Sequence, residues 1–146
     1  MLDAEPKNLE SAAMLELVAM LFRHKTEAEK IGAAGESAAA KYLSQKRGMK
    51  ILARNWRAGK DELDIVARDG ECVVFVEVKT RSETAQVDGY YSAISKKKAA
   101  AVRNCSRAYL ARMAQKPNNW RFDIIEVRRS REGRILSVSH HENIRL

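Results

Sequence analysis

Only two cysteines occur in the 146 residues, Cys72 and Cys105, far apart and each set in an apolar pattern. That excludes a disulfide framework and a thiolate zinc site, and both are expected to be reduced core residues in the cytosol. No apolar run reaches the roughly 18 residues that a membrane-spanning helix needs, so no membrane partner is expected. The N-terminus carries acids where a secretory signal needs positive charge, which argues for a cytoplasmic protein. Also lacking are an internal repeat, a phosphate-binding glycine-rich loop, a nucleophile elbow and any zinc-ligand spacing.

Charge is plentiful and unevenly placed. Lys and Arg number 27 against 19 Asp and Glu, a net charge of +8. Residues 1–30 hold four cations (Lys7, Arg23, Lys25, Lys30) and six acids (Asp3, Glu5, Glu10, Glu16, Glu27, Glu29). Residues 31–146 therefore carry 23 cations against 13 acids, or +10. A polyanionic partner suits that part of the chain.

The most informative stretch runs from Glu62 to Arg81. Two apolar, β-branched runs flank Arg68-Asp69-Gly70-Glu71, and Asp-Gly between such runs is a strong hairpin signal. With Asp69 and Gly70 as the loop, or all four residues as the loop, Val66 faces Val73, Asp64 faces Phe75 and Glu62 faces Glu77. Side chains alternate along a strand, so Glu62, Asp64, Glu77, Lys79 and Arg81 share one side. Leu63, Ile65, Ala67, Val74, Val76 and Val78 take the other. Asp64 and Glu77 become diagonal neighbours, with α-carbons about 7–8 Å apart, within reach of one cation. Two readings of this face stand together. It is a structural ion pair between Lys79 and Asp64 or Glu77, or it is a cation site that relieves the repulsion of the acids.

An apolar helix is expected from Asn8 to His24, built on Leu9, Ala13, Leu17, Met20 and Leu21, and packing on the domain or on a second copy. A polar stretch, Arg23 to Lys30, then leads to a second helix from Ile31 or Ala33 to Lys46, stopped near Gly48. Its inward stripe is Glu36, Ala39, Ala40 and Leu43. Glu36 is either a first-turn acid favoured by the helix dipole or a carboxylate aimed across the sheet. Met49 to Trp56 reads as a strand, followed by a turn with Gly59 and then the hairpin.

A polar loop from Ser82 to Gly89 leads away from the acidic face and is a candidate for substrate contact. A long helix follows from Ser92 to Lys116, stopped at Pro117. Lys96, Lys97 and Lys98 crowd its first turns, where the dipole disfavours cations, so they form either a solvated run or an anion site. Trp120 to Val127 and Ile135 to His140 complete the strands. His140 and His141 point to opposite faces, cannot together ligate one ion, and receive no catalytic role.

The quoted segments resemble a known family. Gly35-Glu36, Ala39, Tyr42-Leu43, Asn55-Trp56-Arg57, Glu62-Leu63-Asp64-Ile65-Val66-Ala67, Phe75-Val76-Glu77-Val78-Lys79-Thr80-Arg81, Ser95 to Lys98, Ala108-Tyr109-Leu110 and Arg121-Phe122-Asp123 are similar to the YraN family of small bacterial proteins. That family in turn resembles the archaeal Holliday-junction resolvases of the PD-(D/E)xK nuclease superfamily. Two features depart from it. Gly59-Lys60-Asp61 precedes Glu62 where the family usually has glycine directly before the glutamate, and residues 1–30 have no counterpart.

The resemblance implies an α/β fold of the PD-(D/E)xK, restriction-endonuclease-like type. A central mixed sheet of about five strands would be flanked by helices, with a nuclease-like domain over 31–146 and an N-terminal helical extension over 1–30. It implies a metal-dependent endonuclease hydrolysing DNA phosphodiester bonds at branched or damaged structures, in DNA repair or recombination. The alternative is a nucleic-acid-binding or complex-assembly module with little catalysis. Glu36, Asp64, Glu77 and Lys79 would be catalytic, and Asp64, Glu77 and the Val78 carbonyl would hold Mg²⁺ or Mn²⁺. Arg57, Arg81 and Lys98 would hold phosphates. The partners expected are DNA, a second copy of the chain, and a protein bound through the N-terminal helix.

Overall fold

The computed structural model describes residues 9–21, 23, 25–86 and 94–146, and the chain divides into two compact units, residues 1–30 and 31–146. In the first unit, α1 spans Leu9–Leu21; the ends expected at Asn8 and His24 lie outside the described residues. Met14, Leu15, Leu17, Val18 and Met20 are all exposed. At 100° per residue they cover more than half of the helix circumference rather than one stripe.

The next helix, α2, spans Glu27–Gln45 and so begins before Ile31. The cause is a reciprocal cap: Thr26 Oγ1 accepts the Glu29 N–H at 3.2 Å, and Glu29 Oε2 accepts the Thr26 N–H at 2.8 Å. The stretch expected as a polar link is thus the helix start. Gly35, Ala39, Ala40 and Leu43 are its buried residues.

Five strands follow around one more helix: β1 Lys50–Ala58, β2 Asp61–Asp69, β3 Cys72–Ser82, α3 Lys96–Arg112, β4 Asn119–Arg129 and β5 Ile135–His141. They form one mixed sheet in the order β1-β2-β3-β4-β5, with β3 and β4 parallel and the other neighbours antiparallel. The parallel pair is possible because the segment between β3 and β4 contains α3, long enough to cross back over the sheet. Ser95 caps α3, accepting the Lys98 N–H at 3.1 Å. Residues 87–93 lie outside the described set, and with them the last three residues of the expected loop from Ser82 to Gly89 and the helix start at Ser92. At its other end α3 stops at Arg112, short of Lys116, with Met113 extended as the cap. Beyond Met113 no large apolar side chain remains to hold another turn on the sheet.

The hairpin forms in a register two residues away from the expected one. Asp69 pairs with Cys72, Val66 with Phe75 and Ile65 with Val76, so the two-residue loop is Gly70-Glu71. Gly70 has φ +58° and Glu71 does not share the left-handed region, so the loop requires positive φ at its first position alone. Asp69 stays in the strand, where its carboxylate meets the Arg121 guanidinium at 3.0 Å. A shift of two preserves the faces. It also brings Asp64 level with Glu77, where a diagonal relation was expected.

Both faces of the sheet are covered. Ala39, Ala40 and Leu43 of α2 pack on Ile65, Ala67, Val74, Val76, Ile125 and Val127. Val102 and Cys105 of α3 pack on Leu63, Val66, Val73 and Phe75. Cys105 is therefore the core residue expected, and both cysteines are free thiols. Leu63 is the exception to alternation: it was expected on the face of Ile65 and Ala67 and packs with α3 instead. The regular pairing of β2 with β3 ends at Ile65 and Val76, just before it, so the local twist that turns Leu63 over coincides with the end of the ladder.

Beside the hairpin end, Arg121 gathers three acids. Its guanidinium lies 3.0 Å from Asp69, 3.1 Å from Asp123 and 3.3 Å from Glu142. Asp123 also contacts His140 Nε2 at 2.9 Å and accepts the Asn143 N–H at 2.9 Å. Beyond Asn143, which has φ +56°, the tail crosses the sheet edge, the Ile144 N–H reaching the Phe122 carbonyl at 2.7 Å.

Candidate functional site

The site lies where β2 and β3 part. Two residues beyond Val76, the Val78 N–H would continue the ladder by meeting a β2 backbone carbonyl. It donates instead to Asp64 Oδ2 at 2.8 Å. A carboxylate thus replaces a main-chain acceptor.

Glu77, only 6 % exposed, projects from β3 beside it. Its Oε1 lies 3.1 Å from the Lys79 ammonium and its Oε2 lies 3.2 Å from the Lys98 ammonium. Lys98 reaches down from the first turns of α3, which accounts for one cation of the lysine run: the acid below answers it. Burial works to lower the Lys98 pKa, but the Glu77 and Asp64 carboxylates outweigh it and hold it above its ordinary value.

Asp64 is the group under most tension. Burial first, and then the Glu77 charge, push its carboxyl up to about 7, against the Val78 N–H and Lys98, with Glu36 adding to the rise. Two carboxylates, two ammonium groups and a main-chain donor therefore meet at one point of the sheet.

Glu36 approaches from α2 and accepts from Asn55 Nδ2 at 2.8 Å. Asn55 has φ +49°, a conformation asparagine tolerates better than most residues. It was quoted only as part of a motif, and its role as the group that fixes Glu36 was not readable from spacing. Gly35 was likewise quoted without a reason. A Cβ there would lie 1.8 Å from Thr80 Oγ1 and 3.0 Å from Thr80 Cβ, so only glycine lets α2 approach β3 this closely. Gly35→Ala is expected to cost about 1–3 kcal/mol of stability in urea unfolding, with partial recovery in the Gly35→Ala, Thr80→Ala double variant.

The expected phosphate ligands separate into three environments. Lys98 joins the acids. Arg57, whose side chain is 73 % exposed, pairs with Glu62 at 2.8 Å across β1 and β2. Arg81 turns inward, its Nε 3.5 Å from Glu126 Oε2. Glu126 was not singled out from the sequence; it is buried, and it also lies 3.2 Å from the Arg128 Nε. Asp123 and Glu126 are three apart on one strand, so one carboxylate serves each face of the sheet. His140 has no place in this site, since it contacts Asp123 in the network beside the hairpin.

Whether these groups fit a hard divalent cation is decided by the donor chemistry. Asp64 and Glu77 are oxygen donors whose charges oppose each other, and Mg²⁺ is commonly held by only one or two carboxylates plus waters. Among the described residues no group of three or more His, Cys, Asp or Glu forms a closed metal cage. The pair fits such an open, water-rich cation.

A five-stranded mixed sheet with a helix on each face, and acids and lysines at the parting of its central strands, defines an α/β protein of nuclease-like fold. The model of the family described as "Uncharacterised protein family UPF0102", the YraN family, matches residues 35–127, and the chain belongs to that family. It is 41% identical over 117 residues to a UPF0102 protein of Mycolicibacterium vanbaalenii, covering 78% of this chain and 92% of the relative. A UPF0102 protein of Parafrankia sp. strain EAN1pec is 43% identical over 107 residues, 73% of this chain and 89% of its own. One from Symbiobacterium thermophilum is 39% identical over 106 residues, 73% and 88%. Among the described residues no helix is long and apolar enough to cross a membrane.

Proposed function

We propose that the chain is a metal-dependent endonuclease that hydrolyses DNA phosphodiester bonds, acting at branched or damaged structures. The observation that carries this reading is the meeting of Asp64, Glu77, Lys79 and Lys98 at the point where β2 and β3 separate. Four ionisable groups gathered in a half-buried place are costly to fold and suit a charged ligand. Asp64 and Glu77, with the Val78 carbonyl, would hold Mg²⁺ or Mn²⁺, which when bound supplies an acidified water and neutralises charge on the phosphoryl oxygens. Lys79 and Lys98 stabilise negative charge growing at the phosphate. Glu36, fixed by Asn55, keeps the approach from α2 acidic, and Arg57 offers an exposed guanidinium to a neighbouring phosphate. Selectivity for branched or damaged DNA rests on the resemblance to junction resolvases.

One observation favours a second reading. Both carboxylate oxygens of Glu77 already face ammonium groups, so a nucleic-acid-binding module with little catalysis is also chemically coherent. The test is cleavage of labelled linear, nicked, flapped and four-way DNA with Mg²⁺ or Mn²⁺. Wild type should cut a branched form preferentially, and Lys79→Ala should cut about 10²–10³-fold more slowly. Tight, steeply salt-dependent binding without any metal-dependent cutting would establish the second reading instead.

A further inference from the structure

A cavity of about 320 Å³ lies next to the acidic site, on the α3 face of β4. Ala99, Ile124, Ile144 and Leu146 make its wall apolar. Lys96, Arg103 and Arg145 also line it, and among the described residues no acid does. None of these three cations has an ion-pair partner among the described residues.

The cavity is tied to the carboxylates by register. Ile124 is the β4 partner of Glu77, and paired residues of neighbouring strands share a face about 4.8 Å apart. Ala99 follows Lys98, whose ammonium lies on Glu77. The occupant of the cavity is therefore held one strand away from the proposed reaction centre. The volume sits at the lower end of the range of about 300–1,000 Å³ for small-ligand sites, which suits one planar base and its sugar but no duplex.

We propose, resting on the nuclease reading above, that this cavity receives one unpaired nucleobase next to the phosphodiester at the acidic site. Lys96, Arg103 and Arg145 hold the phosphates that flank it. An apolar wall beside cations that no described acid neutralises is complementary to a base carried on a polyanion. This gives the enzyme a requirement for an unstacked nucleotide, which flaps, branch points and damaged sites offer and intact duplex does not.

The experiment uses the full chain with Ca²⁺ and flapped duplexes that carry 2-aminopurine, or an abasic residue, at the first unpaired position. Wild type should change the 2-aminopurine fluorescence on binding and bind the abasic flap about tenfold more weakly. Ala99→Leu, which fills the cavity, should bind both flaps alike; should the leucine variant fail to fold, Arg103→Gln with Arg145→Gln should weaken both flaps and make their binding less steeply salt-dependent. Equal binding of the two flaps by wild type would overturn the proposal. So would concentration-dependent dimerisation that Ala99→Leu abolishes without any base discrimination, which assigns the cavity to a second copy. The nuclease reading fails separately: base discrimination without cutting in Mg²⁺ or Mn²⁺ keeps the cavity and removes the enzyme, and cutting without discrimination does the reverse.

Discussion

Asp123→Ala is expected to lower the unfolding free energy by about 3–5 kcal/mol, a large share of the roughly 5–15 kcal/mol that a domain has to lose. Asp123 is 1 % exposed and is the common acceptor for Arg121, His140 Nε2 and the Asn143 N–H. Its removal leaves the Arg121 guanidinium with the more exposed Asp69 and Glu142, and strands a buried histidine and a backbone donor. The effect should carry a pH signature. Burial works to raise the Asp123 pKa, but His140, Arg121 and Asn143 outweigh it, so the folded carboxyl titrates below its ordinary value of 3.8. A depressed pKa means that its stabilisation is complete above that ordinary value and is lost as pH falls through the folded one. Urea unfolding of wild type and Asp123→Asn should therefore differ strongly at pH 6, with the gap narrowing as pH falls below 3.8. A constant gap across that range would show that packing, not charge, carries the contribution.

The order of the elements and the face each strand buries were legible because they depend on alternation and on large apolar residues. Ile65, Ala67, Val74 and Val76 are in the core that their spacing implied. The hairpin register was not, because Asp69-Gly70 and Gly70-Glu71 are equally local choices. A distant residue, Arg121, holds Asp69 in the strand. The faces survived that error because the slip was even. The start of α2 was legible and missed: Thr26-Glu27-Ala28-Glu29 has the capping-box pattern, and its bonds are formed.

At the site, the acids and Lys79 were readable as residues on one strand face. Their arrangement was not. The parting of β2 and β3, the turned-over Leu63 and the left-handed Asn55 are departures from regular strand geometry, and periodicity describes only the regular part. Gly35 belongs with them, since its necessity comes from Thr80, 45 residues away in sequence.

Glu77→Gln should separate this site from the Asp123 network, although both acids are buried. Loss of a direct cation ligand should weaken Mn²⁺ binding by more than the roughly 10–100-fold typical of outer-sphere groups, and cutting should fall with it. Stability should change by only about 1 kcal/mol, because three effects offset one another. Lys79 and Lys98 lose a partner, but their side chains are 29 % and 34 % exposed and can extend into water. Asp64 loses the charge that helps hold its carboxyl near 7, and so becomes a better partner for the Lys98 ammonium. Glutamine keeps the volume, so no cavity opens. Calorimetric titration with Mn²⁺ alongside urea unfolding reads both quantities on one sample. If Glu77→Gln unfolds as readily as Asp123→Ala while wild type binds no divalent ion at millimolar concentration, the acids exist to hold the lysines. The cluster is then a structural ion network, and the enzyme reading fails. If metal binding is lost and the fold is kept, the repulsion stored between Asp64 and Glu77 is there to be relieved by a cation.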